Sequence, residues 1–198
     1  MNLQALGSDL DQHSLAAHLF KAIRSRDNSA VIRLAPEIHS LDGHLDPEYS
    51  ETPLASAARH DLSAKAIGAL LPRSDPLLKG FGGSTPLILV SHGSAPDSAE
   101  VARLLLPVSD PLAVRDDGCS ALDIAIFACN ADIVSLLLPV SDLSCRGSGK
   151  GSTLDQTTRW SNKDVASLVR GEMARRESIE LSAVALNARP IAARASRL

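Results

Sequence analysis

Aromatic side chains are scarce: Phe20, Tyr49, Phe81, Phe127 and Trp160 are the only five in 198 residues. Folds that read nucleic acid by stacking bases on aromatic platforms draw on more than that. An excess of positive charge is missing too. Twenty basic residues stand against 23 acidic ones, a formal net charge of -3, which excludes a chain-wide polycation built to coat nucleic acid or an anionic membrane. No apolar run approaches the roughly 18 residues that a spanning helix needs. The first residues, MNLQALGSDLDQHSLAAHLF, carry acids and polar groups where a secretory signal would have a basic start and an unbroken apolar stretch. Cysteine is limited to Cys119, Cys129 and Cys145, an odd number without C-x-x-C spacing or an accompanying histidine cluster. Neither a zinc site nor a disulfide framework is predicted, and three reduced thiols in the cytoplasm are. Export without a classical signal stays open.

What the chain has in quantity is Ala, Leu, Val and Ile, and they recur with a period. Leu-Leu-Pro-x-Ser-Asp runs from Leu70 to Asp75, from Leu105 to Asp110 and from Leu137 to Asp142, offset by 35 and then 32 residues. A second block, Thr52-Pro53-Leu54, returns as Thr85-Pro86-Leu87, Ser120-Ala121-Leu122 and Ser152-Thr153-Leu154, its leucines 33, 35 and 32 residues apart. Two independent markers on one period identify a repeat architecture.

Each unit reads as a loop and two short helices. Arg115-Asp116-Asp117-Gly118 is a turn signal, and Ser120 stands where a helix N-cap is wanted. In the sister units Pro53 and Pro86 follow the cap, where the missing N–H costs nothing. Leu122, Ala125 and Ile126 share one helical face; Ile133, Val134, Leu136, Leu137 and Leu138 form a second, more apolar helix that Pro139 ends. Helices this short persist only by stacking on neighbours. The chain from Asp164 to Asn187 predicts a longer helix covering the open apolar end of the array, and residues 188–198 a basic, mobile tail.

From Asp116 to Leu138 these residues resemble the ankyrin-repeat family, whose pattern is D-x-x-G-x-T-P-L, A-A, a Gly-His turn, I-V and L-L-L. Cys129 and Asn130 stand in place of Gly-His, so a less regular turn is expected there. Three extra residues around Ser94 to Asp97 lengthen the same turn one unit earlier. The unit at Leu154 keeps the spacing to Val165, Leu168 and Val169 but lacks the leucine triplet. Upstream, His13 to Ile38 reads as a degenerate helix pair broken at Arg26-Asp27-Asn28. The resemblance implies an all-α ankyrin-repeat solenoid of about five helix-turn-helix units near 13–40, 48–75, 81–110, 116–142 and 150–170. An N-terminal segment, 1–12, precedes the array and the capping helix, 164–187, follows it.

Several motifs invite a chemical reading and fail it. Arg146-Gly147-Ser148-Gly149-Lys150-Gly151-Ser152-Thr153 looks like a phosphate loop, yet Ser144 occupies the first glycine position and Gly151 the Ser/Thr position, with no buried strand ahead of it. Asp116-Asp117-Gly118 lacks the earlier acidic ligands of a calcium loop. The six histidines (His13, His18, His39, His44, His60 and His92) form no H-x-x-x-H pair, and no G-x-S-x-G elbow occurs. No enzyme, cofactor or metal is predicted.

The ankyrin resemblance implies that loop tips and the ends of the first helices face a partner protein. The tips are Glu48 and Tyr49, Lys79 and Phe81, Arg115 and Asp117, and Arg146 and Lys150; the helix ends are Arg59 and His60, His92, Phe127, and Arg159 and Trp160. Aromatics and arginine are the usual interface anchors, although packing between helices competes for Phe127 and Trp160. The basic residues among them predict an acidic patch on the partner. The expectation is a non-enzymatic binding module, an inhibitor, immunity-type neutraliser or adaptor; a secreted effector that binds host proteins is the alternative. Nucleic acid and membrane are not expected partners, and the sequence leaves the oligomeric state open.

Overall fold

The computed structural model describes residues 3–43, 45–46, 48–143, 157 and 163–187. Among them are α1 (Leu3–Arg24), α2 (Asn28–Leu34), α3 (Pro53–Arg59), α4 (Ala64–Leu70), α5 (Pro86–Ser91), α6 (Ser98–Leu105), α7 (Ala121–Phe127), α8 (Ala131–Leu137) and α9 (Lys163–Asn187). The described residues are all-α, with one isolated bridge between Val114 and Ser120.

The helices pack as pairs, α1 on α2 through α7 on α8, and the pairs lie side by side. One row runs α1, α3, α5, α7; a second runs α2, α4, α6, α8, and α9 closes against α8. The repeat leucines are the core: Leu54, Leu70, Leu87, Leu105, Leu122 and Leu137 are all buried. Helices of six to eight residues could not hold themselves in water, so this shared burial is what maintains them.

Local chemistry sets each boundary. Thr52, Thr85 and Ser120 accept from the backbone N–H three residues on, and Ser120 and Asp123 form a reciprocal capping box. At the other end the α-helix stops one residue before the proline block, and Leu71–Arg73, Leu106–Val108 and Leu138–Val140 continue as a 3-10 turn. Ala35–Glu37, around Pro36, makes the same turn in the first unit. Proline fits because the tighter turn needs no N–H at that point.

The turn at Cys129 is not the irregular one expected. Cys129 takes a left-handed φ of 55°, matching Arg26 at 56° and Asp61 at 55°. In each case the next N–H reaches back to the carbonyl five residues earlier: Asp27 to Ala22, Leu62 to Ala57 and Asn130 to Ala125. This is one helix C-cap used three times, and the backbone bonds supply it without glycine. The unit with the extra residues breaks the pattern, as Gly93 has no left-handed φ there.

Two further differences concern the ends. The first helix begins at Leu3, well ahead of His13. At the other end α9 matches the expected long helix, but only its first half packs: Val165 and Val169 are buried, whereas 177–185 are exposed throughout. Arg176 ties this helix down by donating to the carbonyls of Leu138 (2.6 Å) and Ser141 (3.0 Å). Arg73 caps the matching carbonyls of the first unit, reaching Ala35 (3.5 Å) and Ile38 (3.0 Å), and Pro36 between them. Residues 144–156, 158–162 and 188–198, and with them the first helix of the fifth unit and the basic tail, lie outside the described residues.

Candidate functional site

Three loops precede α3, α5 and α7, and each closes on itself in the same way. The N–H of Asp46 donates to Glu51, Gly80 to Ser84 and Arg115 to Cys119, at 2.7, 2.8 and 3.0 Å. Neighbouring tips are stitched together: Asp116 N–H donates to Gly82 (3.0 Å), and Lys79 Nζ to the Val114 carbonyl (3.1 Å). Gly82 and Gly83 adopt φ values of 64° and 71°. A Cβ on Gly83 would stand 2.4 Å from an Asp116 carboxylate oxygen, so the close approach of the tips requires glycine there.

Between these tips and the ends of α5 and α7 lies an open groove of about 520 Å³. Arg59, Phe81, His92 and Arg115 line it, as does an apolar floor of Ile88, Leu89, Ile124 and Ala128. Phe81 is 64% exposed and Phe127 49%. Tyr49 meets Phe81 edge-on, ring centres 6.3 Å apart, and His92 tilts against Phe127 at 6.4 Å. The aromatics of three successive units thus form two ring pairs, each with one member, Phe81 or His92, lining the groove, and Phe127 is exposed instead of filling the interior.

Two buried carboxylates brace the site. Glu51 is fully buried and pairs with both ends of the Arg59 guanidinium, Nε at 2.9 Å and Nη2 on the other oxygen. That pairing raises the Arg59 pKa further, against the opposing effect of burial. Arg59 in turn lies 4.8 Å from the centre of the Tyr49 ring, a cation–π contact. Asp46, also buried, accepts from Arg24 Nη2 (2.9 Å) and from the N–H groups of Glu48 (2.8 Å) and Tyr49 (3.3 Å). Burial pushes its carboxyl up, but Arg24 and the two N–H donors outweigh it and hold it below the usual range.

The other expected residues sit at the edges. Glu48 is exposed on its tip, and its carboxylate pushes the Tyr49 hydroxyl pKa up. His60 is half-buried at the end of α3, where burial first and Arg26 second push its pKa down. Asp117 accepts from the Cys119 N–H at 3.0 Å, which lowers its pKa, and lies 3.6 Å from Arg115. Arg146, Lys150, Arg159 and Trp160 lie outside the described residues. Cys129 is an exposed free thiol, and Cys119 is half-buried. Among the described residues no group of three or more His, Cys, Asp or Glu is arranged to hold a metal ion, and no helix is long and apolar enough to cross a membrane.

Asp46 and Glu51 carry no repeat signal, since their ion pairs with Arg24 and Arg59, 22 and 8 residues away, belong to no repeat block. Aromatic faces, a clamped guanidinium and an apolar floor meet around the groove. No protein-family model matches the chain, and no curated protein matches it.

Proposed function

We propose that the chain is a short ankyrin-repeat array whose concave face, centred on the groove between the second and fourth units, binds another protein. It does so without catalysis, as an inhibitor, neutraliser or adaptor acting in the cytoplasm. The observation that carries this reading is that Phe81 and His92 line one groove with Arg59 and Arg115, each paired with a further aromatic ring, Tyr49 or Phe127. Such side chains supply most of the energy in protein interfaces, and a preformed rim loses little entropy when it is covered.

Affinity capture with the Phe81→Ala, Phe127→Ala double variant tests it, beside a control variant at exposed Arg103 of α6. A partner held by wild type and by the α6 control, and lost from the groove variant at unchanged helicity, is the expected result. Retention of the same partner by the groove variant would overturn the reading.

A further inference from the structure

Resting on that reading, we infer that the groove accepts a peptide segment in which an aspartate or glutamate side chain neighbours a bulky apolar residue. Arg115 carries the inference. It lines the groove from the tip of the fourth unit, and its Nε is shielded from water without any hydrogen-bond partner. A guanidinium N–H in that state has given up water and gained nothing, which is costly for a charged donor.

The carboxylates nearby do not answer it. Asp117 approaches the other end of the guanidinium, Nη2, at 3.6 Å and is itself engaged by the Cys119 N–H. Asp116 packs against Gly83. Asp61 is at 3.6 Å from Arg26, and Glu51 is occupied by Arg59. Lys79, on the neighbouring tip, donates its ammonium to the Val114 carbonyl. Because 33% of the Arg115 side chain is exposed, a modest turn of it brings Nε out to an incoming carboxylate, which can then take Nε and one Nη together in the bidentate geometry that arginine favours. The adjoining floor of Ile88, Leu89 and Ile124, overhung by Phe81, takes the apolar neighbour. A basic segment would meet the Arg115 charge head-on, although Asp61, 3.6 Å from Arg26, also lines the groove.

Selection of a random peptide library displayed on phage against the full chain tests this. Enriched peptides are then made as free peptides and titrated in fluorescence anisotropy. The expected peptides pair Asp or Glu with a large apolar residue. Replacing that acid by its amide and Arg115→Gln should each weaken binding about tenfold, while the two changes together weaken it little further. The amide peptide needs no altered protein, so a fold defect in Arg115→Gln cannot mask the result. Enriched peptides without an acid that still depend on Phe81 and Phe127 overturn this inference alone. Peptides indifferent to Phe81, Phe127 and Arg115, or no enrichment, overturn it as well, and the first of these removes the groove reading with it.

Discussion

Arg59 joins a buried charge to a half-buried ring: its Nε donates to Glu51 at 2.9 Å while its guanidinium lies 4.8 Å from the centre of Tyr49. The two partners are unequal. Glu51 is wholly buried, whereas Arg59 keeps part of its guanidinium in water. Removing the arginine strands a carboxylate in the interior; removing the acid leaves a cation that can still be hydrated. Arg59→Met should therefore cost about 3 kcal/mol in urea unfolding, and Glu51→Gln clearly less. Equal losses would show that the pair is not anchored by the buried acid. Gly80→Ala should disturb the same pair, because a Cβ there would stand 2.5 Å from Glu51 Cγ.

Asp46 gives the fold a dependence on acid. Its folded pKa is held below the ordinary 3.8, so it stabilises the protein above that value and the contribution is lost as pH falls through the lower folded pKa. Asp46→Asn should lose roughly 1.5–3 kcal/mol at neutral pH and should flatten the decline of stability below about pH 4. A variant that declines as steeply as wild type would locate the acid sensitivity elsewhere. Glu172, held at about 2 by Arg175 and then Arg176, is one such place, and its shift has the same sign.

How far the chain could be read in advance follows from what repeats. Leu54, Leu87 and Leu122 recur because each fills the same position between two helix pairs, so period alone recovers the pairs, their caps and their core. Phe81, His92, Arg59 and Arg115 could be placed near one surface because they occupy matching positions in successive units. Asp46 and Glu51 could not, since their partners Arg24 and Arg59 are chosen by packing and not by spacing. Pro36 was hidden for another reason: Ala35 replaces the second leucine of the block, although the backbone makes the same 3-10 turn. The regular turn at Cys129 escaped because glycine is the usual left-handed residue at such a turn, while the two C-cap hydrogen bonds hold cysteine left-handed there.

That last point is measurable. Cys129 pays a steric cost for its φ of 55° that glycine would not. Cys129→Gly should gain about 0.5–1 kcal/mol and raise the melting temperature. Gly93→Ala should do the reverse, because its Cβ would sit 2.6 Å from Ser98 Oγ, 2.7 Å from Asp61 Oδ1 and 2.9 Å from the Val90 carbonyl. If both substitutions were neutral, the turn geometry described for these units would be wrong.

Arg176 marks where the long last helix leaves the stack. Its bonds to Leu138 and Ser141 are replaced by nothing in Arg176→Ala, so amide exchange should quicken around Val165 to Arg176 with little change in α3 to α6. In wild type, exchange should already be fast from Glu177 onward, where every described side chain faces solvent. Uniform protection along the whole helix would mean that something packs on its outer half.

The most direct measurement is the amide-exchange footprint of a captured partner on the full chain. Protection confined to residues 79–83, 88–93, 114–118 and 124–128 is the predicted outcome. Protection centred on the second row of helices, 64–70, 98–105 and 131–137, with the groove unchanged, would contradict it.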